Sequence, residues 1–133
     1  MKYILDTNIC VYWLKGSENI ENKASGVGLD AMSISFITLS ELYYGAYKSQ
    51  RRDKNIRNIE KLKEKLFVVE SNDLICEMFG KIKVTLINNG NIIDNADIFI
   101  AACALTEDAI LVTNNEKHFQ RIDELRLENW SNI

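Results

Sequence analysis

Four short, largely apolar runs alternate with longer segments of helical spacing, and that alternation leaves few architectures open. The runs are Tyr3-Ile4-Leu5, Met32 to Phe36, Phe67-Val68-Val69 and Ile110-Leu111-Val112. Runs this short are strands rather than helices, and continuous apolar strands are buried on both faces, as in a parallel sheet covered by helices. Between them the spacing predicts a helix over Ile9 to Leu14 that stops near Lys15-Gly16, and another short helix within Ser17 to Asp30. Thr38 or Ser40 opens the next helix, through Tyr47, and a basic helix follows to about Leu66. Ser71 to Asn89 carries Leu74, Ile75, Met78, Phe79, Ile82 and Leu86 at helical intervals, with Gly90 as its stop. Asp94 can cap a helix to Leu105, a short helix lies near Glu116 to Arg121, and Leu125 to Trp130 forms a last edge strand. The expectation is one domain over residues 1–133, with an α/β fold of three layers, α/β/α, around a mostly parallel sheet of about five strands.

Ligands of open α/β sheets bind beyond the carboxyl ends of the strands. Asp6 lies immediately after the first strand. Glu41 lies in the first turns of the helix after the second, and Asp97 in the first turn of the helix leading into the fourth. A helix packed on a parallel sheet runs against the strands, so its N-terminus lies at that same edge. Thr113-Asn114-Asn115 follows the fourth strand and arrives there too. Each acid has a structural alternative. Asp6, with Thr7 or Asn8, could cap the first helix, Glu41 could be an ordinary solvated helix residue, and Asp94 and Asp97 have capping spacing. Their convergence from distant parts of the chain is what points to chemistry. Clustered carboxylates repel each other without a cation, and hard oxygen donors around an open site suit Mg2+ or Mn2+. No glycine-rich phosphate loop is present, so phosphodiester hydrolysis fits better than nucleotide-dependent chemistry.

Other chemistries find little support. The three cysteines, Cys10, Cys76 and Cys103, are widely spaced and odd in number, which disfavours a disulfide framework or a zinc site. Cys10 and Cys103 lie in apolar runs and read as buried hydrophobes. His118 is the one histidine, too few for a histidine-rich metal site or a conventional Ser-His-Asp triad. The formal net charge is −3, which argues against a protein that coats DNA through a broad basic face. Lys48 to Lys65 nevertheless holds eight basic residues against three acids. That segment could guide a nucleic acid to an acidic centre, or be an ordinary solvated helix face. The apolar stretch Ile98 to Leu105 is far short of the ~20 residues of a membrane span, and the N-terminus is too polar for a secretory signal. A cytoplasmic location without membrane association is expected.

Several segments together carry a family resemblance: YILDTNI at the start, ISFITLSELYYGAYKS, IIDNADIFIAACAL, LVTNNEKHFQRI and the final LENW. In this order and spacing the chain resembles PIN-domain nucleases, and more narrowly VapC-type toxins of toxin–antitoxin pairs. The resemblance implies a PIN-like fold and an Mg2+- or Mn2+-dependent endoribonuclease acting on RNA. It implies Asp6, Glu41 and Asp97 as the catalytic and metal-binding acids. At the fourth acidic position stands Asn115, which brings no charge and puts a second metal in doubt. Asn8, Thr113, Asn115 and Asp94 are the expected supporting residues around the site. The resemblance also implies a cognate antitoxin and a homodimer. The helix Ile9 to Leu14, with almost no polar face, is either a partner surface or wholly buried in the monomer. Two other classes stand beside this reading. One is a DNA- or flap-directed nuclease with the same metal chemistry, which the net negative charge disfavours. The other is a non-enzymatic, receiver-like signalling domain, but Glu70-Ser71 after the third strand lacks the acceptor Asp such a domain needs.

Overall fold

The computed structural model describes residues 1–131. Five strands form one sheet: β1 (Tyr3–Leu5), β2 (Met32–Ser35), β3 (Phe67–Val69), β4 (Ile110–Val112) and β5 (Leu127–Glu128). Their spatial order is β3-β2-β1-β4-β5, and every neighbouring pair is parallel. Seven helices connect them: α1 (Thr7–Leu14), α2 (Glu18–Val27), α3 (Phe36–Lys48), α4 (Arg52–Lys65), α5 (Asp73–Asn88), α6 (Asn95–Thr106) and α7 (Glu116–Phe119). A 3-10 turn at Leu29–Ala31 leads into β2. The expected five-stranded α/β fold is present, and its sheet is parallel throughout. A receiver-like sheet has the strand order 2-1-3-4-5, which this chain does not have.

Alternate residues of the central strands feed two separate cores, as the two-residue period of a strand requires. Ile4, Val69 and Leu111 face a core shared with α5 and α6, including Ile75, Ile82, Ile98 and Ala102. Leu5, Ile34 and Val112 face the opposite core with Ile9, Ile20, Leu42 and Leu62 of α1 to α4. The three-layer arrangement follows directly. Helix α6 is buried along most of its length, which explains why its sequence is apolar nearly all round. Cys10 and Cys103 are buried, as their surroundings predicted.

Several boundaries differ from expectation: α1 begins at Thr7 rather than Ile9, α7 ends at Phe119 rather than near Arg121, and the start of α3 and the extent of the last strand differ as well. Phe36 belongs to α3 rather than to the second strand, and neither Thr38 nor Ser40 opens that helix. Ser35 does, because its hydroxyl accepts from the Thr38 amide at 3.0 Å and ends the strand one residue early. The last strand is confined to Leu127–Glu128 instead of running to Trp130. Gly90 terminates α5 as expected, with a φ of +73° that favours glycine.

Candidate functional site

Strand order reverses on either side of β1, so a crevice opens between the carboxyl ends of β1 and β4. Asp6 stands at the end of β1 and Thr113 at the end of β4. Both are buried. The Asp6 amide donates to the Val112 carbonyl at 2.8 Å, which continues the sheet pairing into the site. The Asp6 carboxylate has both oxygens engaged. Oδ1 accepts from the Thr7 amide at 2.8 Å, and Oδ2 accepts from the Thr113 hydroxyl at 2.8 Å. Asp6 is thus the N-cap of α1 and also a member of the cluster, and the two readings coexist.

Glu41 sits on α3, with its side chain exposed at the edge of the crevice. The Thr7 hydroxyl donates to Glu41 Oε1 and lies 3.2 Å from the Thr38 hydroxyl. Thr7 has one hydroxyl proton, so it gives that proton to the carboxylate and accepts from Thr38. Asp97, in the first turn of α6, completes the group. Its side chain keeps 23% of its exposure, and His118 Nδ1 lies 3.9 Å from its Oδ2.

The electrostatics show that these acids sense one another. Burial raises the pKa of Asp6, the bonds from Thr113 and Thr7 oppose that, and the Glu41 charge adds to it. Asp97 is pushed up to about 6, first by burial and then by the charges of Asp6, Asp94 and Glu41, with His118 acting in the opposite direction. Burial also raises the Cys10 thiol, so no thiolate is available beside Asp6.

The supporting residues divide. Thr113 and Asn115 lie beside the acids: Thr113 bonds Asp6, the Asn115 amide donates to Thr113 Oγ1 at 2.9 Å, and the Asn115 side-chain nitrogen lies 3.0 Å from His118 Nδ1. Asp94 occupies the N-cap position of α6 but its side chain makes no capping bond. It acts on Asp97 through its charge, because two carboxylates one helical turn apart repel. Asn8 is exposed in the first turn of α1, and it is Thr7 that links Asp6 to Glu41. Thr7, Thr38 and His118 are participants that spacing did not single out. The signal available was their position: Thr7 lies two residues past the end of β1 and His118 six past the end of β4, at the edge where the acids meet.

The donor set suits a hard divalent cation: Asp6 and Asp97 are destabilised as carboxylates by burial and by neighbouring acids, Glu41 among them, and no lysine or arginine among the described residues is salt-bridged to the three. In the present side-chain positions, no three His, Cys, Asp or Glu residues among those described stand close enough to hold an ion. Glu41 is turned onto Thr7, and being exposed it has room to rotate. The residues therefore suit such a cation in chemistry, and their side chains must draw closer than they stand to hold one.

The chain matches the PIN domain family over residues 3–125. It is 41% identical to a ribonuclease VapC1 of Haemophilus influenzae strain R2866, over 98% of this chain and 99% of that one. It is 34% identical to the tRNA(fMet)-specific endonuclease VapC of Shigella flexneri, over 98% and 99% of the two chains. Among solved structures, VapBC2 of Rickettsia felis bound to a promoter DNA fragment superposes with a TM-score of 0.92 at 37% identity, covering 98% of this chain and 99% of that one. VapBC-1 of nontypeable Haemophilus influenzae gives a TM-score of 0.89 at 41% identity, covering 99% and 100%. With the family match, the fold and these likenesses in agreement, the chain belongs to the PIN-domain family, among its VapC ribonucleases.

Proposed function

We propose that this chain is a divalent-metal-dependent endoribonuclease, a single nuclease domain that serves as the cytoplasmic toxin of a toxin–antitoxin pair. The observation that carries the reading is the meeting of Asp6, Glu41 and Asp97 at the crevice between β1 and β4, each raising or raised by another's charge. Asp6 and Asp97 are the residues to hold Mg2+ or Mn2+, with Glu41 completing the set. When bound, the ion supplies positive charge against the scissile phosphate and lowers the pKa of water. Thr113 and Thr7 fix the Asp6 carboxylate, so it is oriented before substrate arrives. Glu41, the most accessible of the acids, orients the attacking water and takes its proton while Thr7 steadies its other oxygen.

Two surfaces support the substrate and partner readings. On α3 and α4, Lys48 lies over the exposed ring of Tyr44 at 5.0 Å and Arg52 over that of Tyr47 at 5.6 Å. A single-stranded RNA can use such a basic, aromatic edge on its way to Glu41. A groove between α1, α3 and α4, lined by Val11, Leu14, Glu41, Lys48 and Ile59, opens onto the same acid. Tyr12 and Leu14 on α1 remain exposed beside it, which supports a partner there. An antitoxin segment seated in that groove would cover the carboxylates. The solved VapBC relatives are toxin–antitoxin complexes, and a homodimer is part of the same proposal.

The test uses purified, antitoxin-free protein on transfer, ribosomal and messenger RNA and on single-stranded DNA, with Mg2+, Mn2+ or a chelator. RNA is expected to be cut only with a divalent ion, and Asp6→Asn and Asp97→Asn should each abolish cutting while the circular dichroism stays unchanged. Wild-type protein that leaves every RNA intact, or that cuts only DNA, overturns the proposal.

A further inference from the structure

Resting on the metal-dependent reading above, one question remains open at the site: what occupies the corner where Asn115 brings no charge. The segment after β4 answers it differently from its sequence. Helix α7 is a single turn, and Phe119, fully buried, anchors it to the core. The start of the turn is tied to the site by the Asn115 amide on Thr113 Oγ1, the same hydroxyl that bonds Asp6. This curls the chain back so that His118, not Asn115, comes within salt-bridge reach of Asp97. The result is a continuous circuit from Asp6 through Thr113 and Asn115 to His118 and across to Asp97. The Asn115 side-chain nitrogen faces His118 Nδ1 at 3.0 Å, and the same ring nitrogen lies 3.9 Å from Asp97 Oδ2, so the imidazole is held with a cation-binding atom turned toward the acids.

We propose that His118 is a nitrogen donor of the metal centre, filling the fourth corner and biasing the site away from Mg2+ toward first-row transition ions such as Mn2+. Mg2+ takes hard oxygen ligands in a strict octahedron and gives up its waters reluctantly. Imidazole adds affinity for transition ions that it does not add for Mg2+. Asn115 is then a positioning residue, which holds the ring until a cation takes its place.

Because His118 is the sole histidine of the chain, one isotope label reports on it alone. Tag-free protein is loaded with Mn2+ and its electron spin-echo modulation recorded, with natural-abundance and with 15N-labelled histidine. The expected result is a 14N imidazole modulation that converts to the 15N pattern on labelling and is lost in His118→Ala. Calorimetric competition should show Mn2+ preference over Mg2+ falling on the order of tenfold in His118→Ala and His118→Gln. The side chain is 46% exposed, so both variants should keep the wild-type melting curve without metal. Bound Mn2+ with no histidine nitrogen coupling overturns this assignment and leaves the proposed function standing. Protein that binds no Mn2+ at all overturns both.

Discussion

The Thr113 hydroxyl donates a 2.8 Å hydrogen bond to Asp6 Oδ2, joining two buried residues 107 positions apart across the seam between β1 and β4. Thr113→Val keeps the shape and removes the donor, leaving a buried carboxylate oxygen unsatisfied. The expected cost is about 1–3 kcal/mol in urea denaturation. That bond also holds the Asp6 pKa down, so its loss should move the acid limb of RNA cleavage to higher pH. Thr113→Ser should retain both properties, and an unshifted pH profile in Thr113→Val would contradict the role given to this bond.

Asp97 makes the metal-free protein sensitive to pH in a definite direction. Its carboxyl rises from 3.8 to about 6 on folding, so the protonated form is favoured in the folded state. The stabilisation is complete below pH 3.8 and is lost as pH rises toward about 6. Thermal melts in chelator should therefore show Asp97→Asn to be more stable than wild type at pH 7, by on the order of 1 kcal/mol once solvent screening is allowed for. The difference should vanish near pH 3.5. A destabilised Asp97→Asn at pH 7 would mean that the carboxylate is held by favourable partners instead.

A divalent ion should relieve the same repulsion. Adding Mn2+ at about a hundred times its Kd should stabilise the fold by about 2.7 kcal/mol, visible as a rise in Tm that a chelator reverses. Asp6→Asn should respond far less. A Tm indifferent to the ion would remove the metal from the account.

Thr7 is expected to matter to rate more than to stability. Thr7→Val releases Glu41 from its hydroxyl partner while leaving the amide bond to Asp6 in place. Its kcat should fall by more than a few-fold but by no more than the roughly hundredfold that a 1 Å misplacement costs, and by less than in Glu41→Gln. Equal kcat values for wild type and Thr7→Val would assign Thr7 to packing only.

Topology explains how much of this could be read from the chain. The position of Asp6 was legible because a strand end is a sequence event, and Glu41 and Asp97 followed because a helix after or before a parallel strand must present its N-terminus at the same edge. The start of α3 was not, since Phe36 continues the apolar run and only the Ser35 hydroxyl bond to Thr38 decides that the helix begins there. Asp94 has the residue type and position of a cap, yet the cap bond is not made, and sequence carries no record of that choice. His118 was hidden for a different reason. Its approach to Asp97 depends on one helical turn held by a buried phenylalanine, a three-dimensional folding-back with no periodic signature.

The strand order also bears on when during synthesis the crevice can be completed. The first strand synthesised pairs on one side with β2, whose residues emerge soon afterwards, and on the other with β4, at residues 110–112. Until that late strand leaves the ribosome, Asp6 lacks its Thr113 partner, Asp97 lacks His118, and one flank of β1 has no neighbour. Long-range parallel pairing of this kind is slow to form. The crevice therefore closes last, once residues from both ends of the chain are in place, and a chain cut short before β4 lacks one wall of it.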